Sequence, residues 1–156
     1  MFLITRKNGQ KILSEIVAIT DSELSDILDD KNFEFDWQQE THYDLYALKI
    51  LDNKNTVGLM ALKDFKDELR IEIILIESSK DNIGASKTYD NIAGCLIAYA
   101  CRLAFKKSYF GFVSLIPKTR LIEHYKNAYG FEQFGRQLAI DTEQSLRLIK
   151  QYLKNE

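Results

Sequence analysis

The histidines and cysteines are the first residues to test for chemistry, because they are the usual metal ligands and nucleophiles. His42 and His124 each stand without a cysteine or a second histidine at metal-ligand spacing, so they indicate no metal site. Cys95 and Cys101 lie six residues apart in one predicted helix, which turns them to different faces and excludes a simple disulfide or a CxxC metal site. We expect both cysteines to be core residues and predict no metal.

A glutamate in a strand-like run is the first candidate for acid–base chemistry. Residues 68–77, ELRIEIILIE, are apolar at most positions and predict a strand. Alternation places Glu72 opposite its neighbours Ile71 and Ile73, so its carboxylate could reach a cleft. An ordinary carboxylate on the exposed side of a strand remains the alternative.

A second candidate site lies where a polar loop enters an apolar run. The segment TYDNIAG, residues 88–94, precedes a stretch with no charge between Asn91 and Cys101, which predicts a helix over residues 90–107 that is buried almost all round. Backbone N–H groups at the start of a helix attract anions, so this junction could bind a phosphate. Taken alone, it is simply the start of a capped buried helix, and the signal is weak.

The elements that would position these residues follow a simple order along the chain. Residues 2–5 could form a short strand, and residues 21–30 predict a helix capped by Thr20 or Asp21. Three strand-like runs follow, at residues 43–51, 56–65 and 68–77. Their links are short and turn-forming, so we expect an antiparallel meander. The runs are apolar at nearly every position, as in strands that helices cover on both sides.

The second half of the chain alternates strands with helices. After the helix at residues 90–107 we predict a strand over 109–115, a helix over 118–129 closed by Gly130, and a weak strand or hairpin over 134–140. A last helix begins at Asp141, with Gln144 in capping-box position, and ends near residue 153. Together these elements predict an α/β (α+β) fold, a mixed sheet with helices on both sides, in a single domain over residues 1–156.

Composition and charge narrow the function classes. No stretch approaches the roughly 20 apolar residues of a membrane span, and the apolar start is too short for a secretory signal, so we expect a cytoplasmic protein without a membrane partner. Residues 1–79 hold 9 of the 21 Lys/Arg and 16 of the 23 Asp/Glu, which leaves 12 and 7 for residues 80–156. These charges do not favour binding to nucleic acid, but they favour an anionic ligand bound by the C-terminal half. Statistical scatter of surface charge is the alternative explanation.

Two motifs in this order resemble the GNAT superfamily of acetyl-CoA-dependent N-acetyltransferases. The junction Thr88-Tyr-Asp-Asn91-Ile-Ala93-Gly94 resembles the family's pyrophosphate motif, Q/R-x-x-G-x-G/A, with threonine where glutamine or arginine is usual and asparagine where glycine is usual. The segment HYKNAYGFEQFG, residues 124–135, looks like the family's tyrosine-bearing helix that ends in Gly-Phe. The resemblance covers roughly residues 43–140 and implies a mostly antiparallel GNAT-like sheet flanked by helices on both faces.

The resemblance also implies how acetyl-CoA would be held. Backbone N–H groups at the helix start would cradle the pyrophosphate, with small residues allowing its approach. The cofactor-binding residues implied in this way are Thr88, Tyr89, Asn91, Ile92, Ala93 and Gly94. Positive charge for the phosphates could come from Lys80, Lys87, Lys118 or Arg120, each of which could equally be a solvated surface residue.

The catalytic residues that the resemblance implies are Tyr125 and Glu72. Tyr125 corresponds to the general acid that protonates the departing coenzyme A thiolate, although it stands five residues before Gly130, where the family commonly has four. A bulge in the helix could restore its position, and packing of Tyr125 and Tyr129 against the sheet is the alternative. Glu72 lies on the strand that sometimes carries the base that deprotonates the acceptor.

The implied function is an acyl-CoA-dependent N-acyltransferase in which an amine, on a small molecule or a protein, attacks acetyl-CoA directly. Residues 21–44 hold nine Asp/Glu against one lysine, Lys31, and an acidic wall of the acceptor cleft would favour a cationic amine. Phe33, Phe35 and Trp37 could add a cation–π surface or form a packed lid. Two alternatives stay open, a catalytically weak or inactive GNAT-fold interaction module and another α/β fold, and a homodimer is compatible with either.

Overall fold

The computed structural model describes residues 1–117 and 119–153, which form a single sheet with helices packed against it. The strands of this sheet are Phe2–Thr5 (β1), Lys11–Ala18 (β2), Asp44–Ile50 (β3), Thr56–Phe65 (β4), Arg70–Ser78 (β5), Tyr89–Asp90 (β6), Val113–Leu115 (β7), Glu132–Phe134 (β8) and Gln137–Ile140 (β9). The α-helices are Asp21–Leu28 (α1), Ile92–Lys106 (α2), Ile122–Tyr129 (α3) and Thr142–Leu153 (α4). None of these helices is long and apolar enough to span a bilayer.

The strands lie in the order β6-β1-β2-β3-β4-β5-β7-β9-β8. The predicted meander is confirmed, because β3, β4 and β5 pair antiparallel through short connections. β5 and β7 run parallel, as expected for two strands joined by a crossover helix, here α2. The other strand pairs within the described residues are antiparallel, so the predicted mixed, mostly antiparallel sheet is confirmed.

Both faces of the sheet are covered, which explains why its strands are apolar on both sides. One face packs against α2, α3 and α4, with Leu96, Ile97 and Leu148 fully buried there. The other face packs against α1 and against the segment 33–37, where Leu24 and Trp37 are buried. The predicted helices on both sides are therefore confirmed, and the cavity described below lies between the two cores.

Both cysteines are core residues, as predicted. Cys95 and Cys101 are buried and unbonded to each other in α2. Burial raises the pKa of the Cys101 thiol to about 12, so this thiol stays protonated and unreactive at neutral pH.

The helix caps follow the sequence closely. Thr20 and Glu23 close the capping box at the start of α1, which confirms the predicted cap. At the start of α4 only half of the predicted box forms, since the Asp141 carboxylate accepts from the Gln144 N–H at 3.2 Å while the Gln144 side chain donates to the Tyr129 carbonyl oxygen at 2.8 Å. That second bond ties α4 to the end of α3, where Gly130 has the left-handed φ of 75° that glycine favours.

Three parts of the chain differ from the prediction. β2 was not expected, and the short β6 extends the sheet beyond β1. The strand predicted over 109–115 begins only at Val113, because Ser108, Phe110 and Gly111 take left-handed conformations in a turn. The helix predicted over 118–129 divides into a 3-10 turn, Thr119–Leu121, followed by α3, and Lys118 lies outside the described residues.

The start of α2 is packed against the end of α4 through a glycine. A Cβ added to Gly94 would lie 2.4 Å from two ring atoms of Tyr152, so the absence of a side chain at Gly94 allows the helices to approach. The Tyr152 ring also lies 6.5 Å, centroid to centroid, from the Tyr129 ring. Gly94 therefore has a packing role at this helix–helix contact.

Replacing Gly94 by alanine tests this contact. The added methyl group must displace the Tyr152 ring, and overpacking of this kind destabilises a core by roughly 1–3 kcal/mol, whereas the helical preference of alanine restores only about 1 kcal/mol. We expect Gly94→Ala to lower the melting temperature in thermal unfolding. In a Tyr152→Ala background the same change should raise it, and a decrease in both backgrounds would contradict the contact.

Candidate active site

The central feature of the site is the short ladder between the two parallel strands. β5 and β7 pair at three positions, with Ile71 opposite Val113, Glu72 opposite Ser114 and Ile73 opposite Leu115. Beyond these pairs β5 continues to Ser78, whereas β7 ends. The two strands therefore part after Ile73, and the β7-side edge of β5 faces a gap instead of a strand.

A β-bulge in β5 lies beside this gap. On the β4 side Ile73 pairs with Leu62 and Leu75 pairs with Ala61, so Ile74 is an extra residue without a partner on β4. A bulge interrupts the ladder and bends the strand, which directs backbone polar groups and side chains differently on its two sides. The bulge therefore changes the direction of β5 at the point where β7 ends.

A cavity of about 280 Å³ occupies the gap. Its lining residues are Phe35, Ile73, Ile74, Leu75, Ile76, Leu115, Ile116, Pro117, Arg120, Leu121 and Tyr125. Leu75 packs against the core on the α1 face and Ile76 against the core on the α2 face, so side chains of both faces line the same space. Phe35 lines it from the α1 face and Tyr125 from α3 on the opposite face, so residues from both faces of the sheet border the cavity.

Tyr125 contributes a phenol to the lining of this cavity. Its half-buried ring contacts Phe131 edge-on, with centroids 5.9 Å apart, and lies 6.0 Å from the Tyr129 ring. Burial raises the pKa of Tyr125 above that of a free tyrosine, so the hydroxyl keeps its proton at neutral pH. α3 is an ordinary α-helix from Ile122 to Tyr129, and Tyr125 reaches the cavity without the bulge considered from the sequence.

Glu72, the other candidate for acid–base chemistry, is engaged elsewhere. Its carboxylate accepts hydrogen bonds from Arg70 Nη1 at 3.0 Å and from Gln137 Nε2 at 3.1 Å. Arg70 is itself bonded to Ser114 Oγ at 2.8 Å and stacks on the Phe65 ring at 3.9 Å. Glu72 is not among the residues that line the cavity, so the structure does not bring it together with Tyr125.

The predicted cofactor segment lies at the start of α2 and outside this cavity. Asn91 takes a left-handed conformation, φ 78°, and α2 begins there without a side-chain cap, so the first N–H groups of the helix receive no hydrogen bond from the Asn91 side chain. Thr88 turns its hydroxyl towards the Asp81 carbonyl oxygen at 3.4 Å. None of the residues 88–94 is among those that line the cavity.

The loop that leads into this segment is held by buried polar contacts. Asn82 donates to Ser79 Oγ at 2.8 Å and accepts from the Tyr89 N–H at 2.9 Å. Tyr89 and Asp90 then pair with β1 as the edge strand β6. The loop therefore delivers the chain from the end of β5 to the start of α2 along a fixed path.

The cations expected near the phosphate site are divided between two places. Lys87 and Arg6 both reach the Asp90 carboxylate, at 3.2 and 3.9 Å, just before the start of α2. Arg120 lines the cavity instead, and Lys80 is exposed at the beginning of the loop. Asp90 thus already supplies a negative charge to the two cations closest to the helix start.

The acidic residues of the segment 21–44 do not line the cavity, where that segment contributes Phe35 alone. Asp26 and Asp30 border a different cleft, of about 180 Å³, together with Lys49 and Lys54. Phe33 and Trp37 are buried in the core of the α1 face, as expected for a packed lid. The acidic residues of this segment therefore form no wall of this cavity.

Some lining residues were not identified from the sequence. The bulge at Ile74 depends on strand register, which local pattern does not reveal. Pro117 did carry a signal, because the only proline of the chain cannot donate to a strand ladder and therefore indicates where β7 must end. Within residues 1–117 and 119–153, no group of three or more His, Cys, Asp or Glu is arranged to hold a metal ion.

Comparisons with known proteins give matches among solved structures. No protein-family model and no curated protein matches the chain. The structure of AtaTR bound with acetyl-CoA is 13% identical and matches over 87% of this chain and 98% of that chain, with a TM-score of 0.57. Nourseothricin acetyltransferase is 11% identical, over 83% and 98%, with a TM-score of 0.60. IAA acetyltransferase from Bacillus cereus ATCC 14579 is 15% identical, over 83% and 99%, with a TM-score of 0.59.

The raised pKa of Tyr125 can be measured directly. We expect its phenol to titrate above pH 10, because burial disfavours the phenolate. The folded state then binds the proton more tightly than the unfolded state, so this contribution to stability is present below pH 10 and is lost as the pH rises further. NMR of tyrosine labelled at Cζ, assigned with Tyr125→Phe, would show it, and a titration at or below pH 10 would contradict the burial.

Proposed function

We propose that this chain, which has the GNAT fold, is an acyl-CoA-dependent N-acyltransferase that transfers an acetyl group from acetyl-CoA to an amine. The observation that carries this proposal is the cavity at the gap between β5 and β7, lined by Tyr125 from one face of the sheet and Phe35 from the other. Two substrates can reach such a cavity from opposite faces and react directly, without a covalent intermediate on the protein. The acetyltransferases with similar structures support the same class of reaction.

The reaction is a direct displacement at the thioester. The amine nitrogen attacks the carbonyl carbon, a C–N bond forms, and the C–S bond breaks. Tyr125 donates its proton to the sulfur as the thiolate leaves, which its protonated state at neutral pH allows. The backbone of β5 beside the bulge, where no strand pairs on the β7 side beyond Ile73, would supply the N–H groups that polarise the carbonyl oxygen. No carboxylate is among the lining residues that the structure describes, so water would take the proton of the amine and return a proton to the Tyr125 phenolate.

The start of α2 would hold the diphosphate of acetyl-CoA. Its uncapped N–H groups, the left-handed Asn91 and the small Ala93 suit an anion, and the helix dipole adds to the attraction. Lys87 and Arg6 lie next to this position and could turn from Asp90 to the phosphates. Acetyl-CoA in the AtaTR structure supports this choice of cosubstrate.

A second candidate function is a GNAT-fold interaction module with weak or no catalysis. The observation that favours it is the contact between Tyr152 and Gly94, which places α4 against the first turn of α2. Asp90, which engages both neighbouring cations, would also oppose a bound phosphate. An acyl-transfer assay separates the two functions, since the module would give little or no acetylated amine.

Tyr125→Phe tests the enzyme with the ring kept in place. Removal of one proton donor should lower kcat by roughly 10²–10⁴ while the affinity for acetyl-CoA stays nearly constant, because only the hydroxyl is lost. The measurement is release of coenzyme A thiol in the presence of an amine. Tyr129→Phe, the same change on the buried neighbouring ring, is the matched control and should keep wild-type turnover. Wild-type turnover in Tyr125→Phe would show that Tyr125 only packs.

Ala93→Glu tests the proposed phosphate position. A carboxylate in the first turn of α2 suits the helix dipole, so the fold should be retained, but it would occupy and repel the diphosphate. We expect acetyl-CoA to raise the melting temperature of the parent protein, adenosine to raise it much less, and Ala93→Glu to lose the acetyl-CoA shift. Asn127→Glu, which adds the same charge on an exposed position of α3, should keep the shift. Equal shifts in both variants would place the diphosphate elsewhere.

A further inference from the structure

A buried glutamate fixes one wall of the cavity. The carboxylate of Glu77, 5% exposed near the end of β5, accepts hydrogen bonds from the Glu34 N–H at 2.6 Å, the Phe35 N–H at 3.2 Å and Trp37 Nε1 at 2.7 Å. A buried carboxylate is stable only when its oxygens are bonded, and hydrogen bonds to a charged acceptor are the stronger kind. Glu77 therefore ties the segment 33–37 to β5.

This tie determines where Phe35 lies. Its neighbours Phe33 and Trp37 are 8% and 1% exposed and belong to the core on the α1 face, so both ends of the segment are anchored. Phe35 itself is 40% exposed and lines the cavity opposite Tyr125. The ring is thus a positioned wall of the cavity on the side from which the acceptor would enter.

The remaining walls are apolar, and the charge they carry is positive. Ile74, Leu75 and Ile116 line the same space. Among the lining residues in the described part of the chain, Arg120 carries a formal charge, and that charge is positive. A cationic group entering here would lose its hydration without gaining a counter-charge, which is unfavourable. An aliphatic or aromatic group would instead gain free energy by leaving water.

We infer that the acceptor is an amine carried by an apolar group, that Phe35 determines this specificity, and that Glu77 is the positioning residue that holds Phe35 in place. The inference rests on the proposed function, and it replaces the cationic amine expected from the acidic sequence of residues 21–44. The amine must react in its neutral form, because an ammonium nitrogen has no lone pair with which to attack the carbonyl carbon. The described walls of the cavity also offer no carboxylate to hold an ammonium group.

A matched pair of acceptors tests the specificity. n-Pentylamine and 1,5-diaminopentane have the same chain length and differ in whether the far end is a methyl or an ammonium group. With saturating acetyl-CoA, we expect kcat/KM to be at least tenfold higher for pentylamine. Equal values, or a preference for the diamine, would overturn the inference and leave the proposed function intact. No transfer to either amine, with acetyl-CoA bound, would overturn the proposed function and the inference with it.

Substitutions of Phe35 test its role in this specificity. Phe35→Ala should reduce the preference for pentylamine about tenfold through a higher KM for the amine, with the KM for acetyl-CoA unchanged, and Phe35→Leu should restore most of it. Phe134→Ala, which removes an exposed ring outside this cavity, is the matched control and should keep the preference. Retention of the full preference in Phe35→Ala would overturn the role of Phe35.

Glu77→Gln addresses the positioning role separately. The amide can accept through one oxygen only and turns an N–H₂ group towards the N–H donors, so the segment 33–37 should loosen. We expect a severalfold higher KM for pentylamine with kcat at saturation nearly unchanged. The only tryptophan, Trp37, should show red-shifted emission as its bond to Glu77 is lost. A red shift with no change in the KM for the amine would overturn the positioning role.

Discussion

The parting of β5 from β7 is the constraint on which the rest of the structure depends. The two strands run parallel over three residue pairs. After Leu115 the chain, which contains Pro117, leaves the sheet. A gap in the middle of a sheet exposes backbone groups, so it is tolerated only where side chains or a ligand fill it. The bulge at Ile74 and the apolar side chains around it form a cavity lined by residues from both faces of the sheet.

The sequence predicted those elements whose boundaries are set by local chemistry. β4 was predicted at both ends, from Thr56 to Phe65, because turn-forming residues flank a continuous apolar run. The cap at Thr20 and the glycine that ends α3 at Gly130 were likewise visible as single residues. β2 was missed because it is partly exposed, and its place in the sheet depends on pairing with β1 and β3 far along the chain.

In the candidate site, too, the sequence predicted the residues of local motifs and missed the contacts made through the tertiary fold. Tyr125 and the start of α2 belong to short motifs, which local sequence can reveal, and Tyr125 does line the cavity. The surroundings of Glu72 and Glu77 were not readable, because Arg70, Gln137 and the segment 33–37 meet them only through the tertiary fold. Two glutamates of one strand, similar in sequence, are therefore engaged in different contacts, Glu72 with a cation and Glu77 with a loop.

The acidic N-terminal half shows why net charge is a poor guide to a cavity. Charged side chains stay in water unless they are paired, so a charged segment presents its carboxylates to solvent and its apolar residues to the interior. In the segment 21–44 this leaves Phe33 and Trp37 in the core and Phe35 at the cavity, while Asp26 and Asp30 remain at the surface. Because the residues that enter a site must also be compatible with burial, its chemistry follows from the apolar and hydrogen-bonded residues of a segment more closely than from its total charge.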